Sequence, residues 1–294
     1  MDLRNLRYFS QVVRAGGFAR ATSLAHASQP TLSKAVAQLE DELGARLLER
    51  DRHGIALTQA GEIVHRHALA MLAQTRSIRD ELDALAGLQR GELRLGLPPL
   101  GSNILFAAPL ARYRERYPHI TITLMEHGSR RLEQAVMADE IEVAATLRPH
   151  ADGLDSQPVC DEPMLAILPL ADAHARARRF RLEWLNDSPL ILFEQGFALN
   201  SLIADACRQR GIAPRETVRS AQVDFILALV SGGGGIALLP RLVVAERTLA
   251  GAVAIPLVGR DLRWRLDLAW RRGRLLSPAA RAWQALAKGK PATD

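Results

Sequence analysis

A chain of 294 residues with 48% hydrophobic and 24% charged residues can bury two cores and is too apolar to stay disordered. No apolar run approaches the ~18 residues of a membrane span, and residues 1–7 lack a secretory layout, so no membrane partner and a cytoplasmic location are expected. Cys160 and Cys207 form neither a disulfide framework nor a metal cluster, and a net charge of +6 permits nucleic-acid binding without demonstrating it.

Leu3, Leu6, Phe9 and Val13 recur at helical spacing and predict a first amphipathic helix ending near Gly16-Gly17. Phe18, Ala21, Leu24 and Ala25 predict a short second helix. Ser28 then suits an N-cap and Pro30 a first turn, and Leu32, Val36, Leu39 and Leu43 continue as the apolar stripe of a third helix closed by Gly44. Its opposite face carries Gln29, Pro30, Thr31, Ser33, Lys34 and Gln38, mostly in the N-terminal half. In a helix-turn-helix that half enters the major groove, where hydroxyls and amides bond base edges and a lysine holds phosphate. On an isolated helix the same residues would read as a solvated face; the three-helix order and the hairpin after it favour a reader of double-stranded DNA. Leu47–Arg50 and Ile55–Leu57 flank Asp51-Arg52-His53-Gly54, a hairpin placed as a wing, with Arg50, Arg52 and His53 as candidate phosphate or minor-groove contacts. Residues 1–58 hold only eight Lys/Arg against six Asp/Glu, so placement and not bulk charge carries this reading.

Leu3-Arg4-Asn5-Leu6-Arg7-Tyr8-Phe9, Ser28-Gln29-Pro30-Thr31-Leu32-Ser33, Gln38–Gly44, Leu47–Arg50 and Leu57-Thr58-Gln59-Ala60-Gly61 occur in order without gaps. This segment resembles the N-terminal signature of LysR-type transcription regulators, with Gly17 where that family usually has serine. After Thr58 a long helix is predicted to about Leu88. Val64, Ala68, Met71, Thr75, Ile78, Leu82 and Leu85 alternate steps of four and three, the seam of a helix that pairs with a second subunit or packs on its own domain. The resemblance implies a homodimer and favours a homotetramer, with RNA polymerase as a further partner of an activator.

From Gly91 the pattern changes to strands near 93–97, 120–124, 141–145, 164–168, 190–193 and 236–240, separated by helices near 103–116, 130–139, 199–210 and 222–230. This is α/β alternation on a mostly parallel sheet, returning through Trp264–Trp270 to a last helix begun by Ser277-Pro278. The expected organisation is a winged helix-turn-helix at 1–58, a linker helix at 59–90 and an effector domain at 91–294. Lobe I takes about 91–160 and 265–294, and lobe II about 161–264. The last domain resembles the effector domain of the same family, which is similar in fold to periplasmic solute-binding proteins. A small-molecule effector is then expected in the interlobe cleft, with Pro99, Leu100, Gly101, Ser102, Asn103, His127, Gly128, Ser129, Thr146, Phe197 and Gln222 lining it. Ser102 and Ser129 each precede a helix and either cap it, hold a carboxylate, or do both. Ile191–Leu199 together with Leu97-Pro98-Pro99 resembles a subgroup that responds to small organic acids, and Val223 stands where that subgroup has tryptophan.

No enzyme is expected. Gly232–Gly235 lacks the Lys-Ser/Thr of a phosphate loop and comes after a helix instead of a strand. His65 and His67 face different sides of one helix, no nucleophile elbow is present, and Glu140 and Glu142 read as solvated carboxylates. Catalytic residues, metal and cofactor are all expected to be absent. The alternative is a ligand-binding or catalytic α/β protein with a helical partner module, which would show no operator preference.

Overall fold

The computed structural model describes residues 1–51, 54–85, 91–259 and 262–288. They fall into two units, Met1–Gly87 with Ala138–Glu140, and Leu88–Met137 with Ile141–Asp294.

The first unit begins with helices α1 (Leu3–Ala15), α2 (Phe18–Ala25) and α3 (Gln29–Leu43). Local chemistry sets their ends. The Asp2 carboxylate accepts the Arg4 N–H at 2.9 Å, and Ser28 caps α3 through the Thr31 N–H at 3.4 Å, with left-handed Gly44 closing it. Leu6, Phe9, Val36, Leu39, Leu47 and Ala68 form one apolar cluster, and Val12, Ala21 and Leu32 a second beside it. Leu24 and Leu43, placed by periodicity on the inner faces, are instead 47% and 41% exposed, since each lies in the last turn of its helix. Strands β1 (Leu48–Asp51) and β2 (Gly54–Leu57) pair antiparallel. Helix α4 (Gln59–Leu85) starts where the Thr58 hydroxyl accepts the Gly61 N–H at 2.9 Å and donates to the Arg46 carbonyl at 2.7 Å. Position 61 admits no side chain: a Cβ there would lie 2.0 Å from the Leu47 carbonyl oxygen.

The expected seam on α4 divides. Ala68 is 1% exposed and belongs to the core of this unit, so it cannot also face a second chain, and Val64 packs against the same cluster. Met71, Ile78 and Leu82 are 41%, 57% and 61% exposed, while the Thr75 hydroxyl donates to the Met71 carbonyl at 3.0 Å. The Leu85 side chain lies outside the described residues.

The second unit contains β3 (Gly91–Leu97), α5 (Ser102–Leu105), α6 (Ala107–Arg116), β4 (Ile120–Glu126), α7 (Ser129–Met137), β5 (Val143–Leu147) and β6 (Leu154–Pro169). It continues with β7 (Pro189–Phe193), α8 (Ala198–Arg208), β8 (Arg215–Ser220), α9 (Val223–Ser231), β9 (Ile236–Pro240), α10 (Arg241–Ala245), β10 (Ala252–Pro256), β11 (Arg263–Arg271) and α11 (Pro278–Leu286). Strand order is β4-β3-β5-β11-β6-β9-β7-β8, with β10 also on β6. β3 runs parallel to β4 and β5, and β7 parallel to β8 and β9. The 16-residue β6 joins the two lobes: Leu154–Pro163 pairs antiparallel with β11, and Met164–Pro169 with β9 and β10. A register shift between Leu266 and Asp267 marks a bulge in the first half, beside Pro158, which stands opposite Asp267.

Glu142 is not solvated. It is 5% exposed, and its carboxylate accepts the Ser277 N–H at 2.7 Å and hydroxyl at 2.8 Å, tying β5 to the start of α11. Among the described residues no helix is long and apolar enough to cross a membrane.

Candidate nucleic-acid interface and ligand cleft

Helix α3 sorts its residues by face. Leu32 and Leu39 are wholly buried and Val36 nearly so, whereas Gln29, Pro30, Thr31, Ser33, Lys34 and Gln38 are all exposed. The Glu40 carboxylate, on the boundary between the faces, accepts the N–H groups of Leu47 at 2.7 Å and Leu48 at 3.2 Å, which fixes the hairpin against α3. A groove of about 970 Å³ runs between the start of α2, α3 and the hairpin, lined by Gln29, Ser33, Ala37 and also by Arg20 and Arg46. Neither arginine is apparent from the sequence, because neither stands on the recognition helix or at the hairpin tip. Arg50 is on β1, but its side chain, like Arg52 and His53, lies outside the described residues.

In the second unit the predicted cleft is partly closed. A Cβ on Gly128 would lie 2.0 Å from the Gly196 carbonyl oxygen, so the two lobes meet backbone to backbone there. The cleft is left as two cavities with no lining residue in common. One, about 490 Å³, is lined by Pro99, Ser102, Asn103 and Gln222; the other, about 550 Å³, by Ser129, Phe197, Arg130, Arg148 and His150.

Five expected cleft residues line neither cavity: Leu100, Gly101, His127, Gly128 and Thr146. Leu100 is 5% exposed within the core, Gly101 lies beneath the Trp264 ring, and Thr146 is fully buried. His127 is exposed and donates its N–H to Leu97 at 3.4 Å, extending the β3–β4 pairing. The serines do not cap their helices. The Ser102 hydroxyl donates to the Pro98 carbonyl, and Ser129 Oγ accepts the Leu147 N–H at 3.1 Å. Glycines stand at the helix starts instead: Gly101 is the N-cap of α5, and the Gly128 carbonyl accepts from Arg131 and Leu132.

The charged centre of the cleft lies among residues that the sequence does not single out. Asp267 on β11 is 1% exposed, and its Oδ2 accepts Arg148 Nε at 2.6 Å, His150 Nε2 at 3.0 Å and the Ser156 hydroxyl at 3.0 Å. His150 Nδ1 lies 3.1 Å from Thr146 Oγ1 and 3.6 Å from the Glu133 carboxylate. Hydrogen bonds to Asp267 and Glu133 outweigh burial and raise the His150 pKa to about 9, so the imidazolium persists at neutral pH. Burial alone would raise the Asp267 pKa; the bonds from His150, Arg148 and Ser156 bring it below the ordinary value. One signal was available: a lone aspartate set between two leucines, Leu266-Asp267-Leu268, in a strand-like run.

Burial disfavours the thiolate form of both cysteines. It raises the Cys160 pKa to about 12 and also raises that of Cys207, and neither is bonded to the other.

Similarity to known proteins runs along both units. The profile of the LysR substrate binding domain matches residues 86–291, and that of the bacterial regulatory helix-turn-helix protein, lysR family, matches 3–62. The chain is 32% identical to the HTH-type transcriptional regulator YwbI of Bacillus subtilis, covering 96% of this chain and 94% of that protein. It is 28% identical to the dual regulator OxyR of Escherichia coli K12, covering 98% and 94%. A full-length OxyR variant from Pseudomonas aeruginosa superposes with a TM-score of 0.76 at 26% identity, over 98% of this chain and 93% of that one. A winged reading head followed by a two-lobed ligand domain, matched along both parts, makes this chain a member of the LysR family of bacterial transcription regulators, and a DNA-binding regulator, not an enzyme.

Proposed function

We propose that the exposed flank of α3 reads operator bases while the effector domain, occupied by a small organic acid between its lobes, sets the DNA-bound arrangement. The carrying observation is the division of α3: an apolar flank sunk in the head, and Thr31, Ser33, Lys34 and Gln38 presented together on the other side. Arg50 and the hairpin tip, with Arg20 and Arg46 along the groove, supply phosphate contacts. The exposed Met71, Ile78 and Leu82 support pairing of α4 with a second copy, which presents two readers to a two-fold operator, and two such pairs would give a tetramer. RNA polymerase is the further partner where the protein activates.

Some relatives respond to peroxide by name. The raised pKa values of Cys160 and Cys207 favour a bound molecule over thiol oxidation as the signal here. The test is a mobility-shift and footprint experiment on the promoter region beside the protein's own gene. A protected, roughly symmetric site whose protection changes with an added organic acid is the expected result. Weak binding to all duplexes alike at physiological salt would contradict it.

A further inference from the structure

The two cleft cavities differ in charge. The cavity at Ser102 and Gln222 holds Glu126, Asp224 and one cation, Arg247, which is already paired: its Nε donates to Asp224 at 2.7 Å and its Nη1 to the Val243 carbonyl at 2.6 Å. An entering carboxylate would meet two carboxylates and a satisfied arginine.

The other cavity is arranged the opposite way. Its acids are occupied: Asp205 pairs with Arg208 at 2.7 Å, and Glu133 faces His150 and accepts the Ala151 N–H at 3.3 Å. Of its cations, Arg219 is paired with Glu216 and His150 with Asp267 and Glu133, whereas Arg130 and Arg148 keep donors open. Arg130 is exposed and makes no ion pair or hydrogen bond among the described residues. Arg148 directs only Nε to Asp267 and keeps its side chain 43% exposed. The buried Asp267 holds it from behind, leaving the rest of the guanidinium plane for a second anion. Phe197, Ala198 and Leu202 provide apolar wall, and about 550 Å³ accommodates a short carbon chain.

We infer that the effector is a small dicarboxylate bound in the Arg130–Arg148 cavity, one carboxylate on each guanidinium, and not in the Ser102–Gln222 cavity. This rests on the organic-acid reading above. Asp267 acts as a positioning residue for Arg148 and touches no ligand.

The experiment is thermal-shift titration of the full-length protein with succinate, fumarate, glutarate and adipate. Succinamide serves as the uncharged control, and acetate and pyruvate as monoanions. At least one dicarboxylate should raise the melting temperature in a concentration-dependent way, with succinamide inert. Arg148→Gln and Arg130→Gln should each weaken that ligand about tenfold or more, while Ser102→Ala and Gln222→Ala leave it unchanged. Arg148→Gln exposes Asp267 to misfolding; Arg130 is on the surface, so its variant tests the cavity in an intact fold, and Arg148→Lys should recover part of the affinity. If a dicarboxylate binds but only Gln222→Ala or Ser102→Ala weakens it, the assignment of the cavity is overturned. If monoanions bind and dicarboxylates do not, the charge class is overturned and the organic-acid reading survives. Silence from every acid overturns both.

Discussion

His150 is the residue whose protonation the fold most plainly controls. Its folded pKa of about 9 stands above the ordinary 6.5, so the proton is bound more tightly in the folded chain. The resulting stabilisation is full below about pH 6.5 and is lost as pH rises through 9, up to about 3 kcal/mol for a shift of this size. Thermal unfolding from pH 6 to 9.5 should therefore show a decline in the native protein that is absent from His150→Gln; parallel curves would mean that the imidazolium is not held. Gly61 gives a second prediction. A methyl group 2.0 Å from the Leu47 carbonyl forces α4 off the hairpin, so Gly61→Ala should cost the head about 1–3 kcal/mol in denaturant unfolding, and unchanged stability would refute the close approach. Residue roles were unevenly legible. Ser28, Pro30 and Thr58 follow from capping chemistry alone, and the structure uses them so. Arg148, His150 and Asp267 come together from β11 and the segment after β5, over a hundred residues apart, and no local pattern encodes that meeting.

At the scale of elements, the helices with polar caps and apolar stripes were readable, as were the inner strands Leu93–Leu97, Leu190–Phe193 and Ile236–Pro240. The first half of β6 was not, because Asp155, Gln157, Pro158 and Asp161 give it the composition of a loop. Only its pairing with β11 makes it a strand. β8 escaped for a related reason: at the sheet edge its residues are nearly all exposed, so Arg215–Ser220 carries no inward stripe. The candidate cleft was legible as loops, while its division at Gly128 and Gly196 depended on a backbone approach that sequence does not report. Gly128→Ala should hold the lobes apart and weaken any ligand that bridges them, readable as a smaller effector-induced thermal shift; a full shift would show that the contact is dispensable. On α4, Ile78→Glu with Leu82→Glu should lower the oligomeric state measured by sedimentation, since these side chains are already exposed in the single chain and their loss leaves the head's core intact. An unchanged sedimentation coefficient would remove α4 from the interface.

For the whole molecule, regulation requires that the effector favour one quaternary arrangement over another, and the size of the response is bounded by its differential affinity for the two. The same linkage makes operator DNA alter effector affinity by the same factor. All of this presupposes that the head discriminates sequence, and that burden falls on four side chains of one helix. The most direct measurement is the affinity of Thr31→Ala for an operator duplex and for a scrambled duplex of equal length and salt. Loss of a base contact predicts a penalty of roughly 1–3 kcal/mol on the operator and little change on the scrambled duplex. An equal penalty on both, or none on either, would contradict the assignment of the α3 flank as the reader.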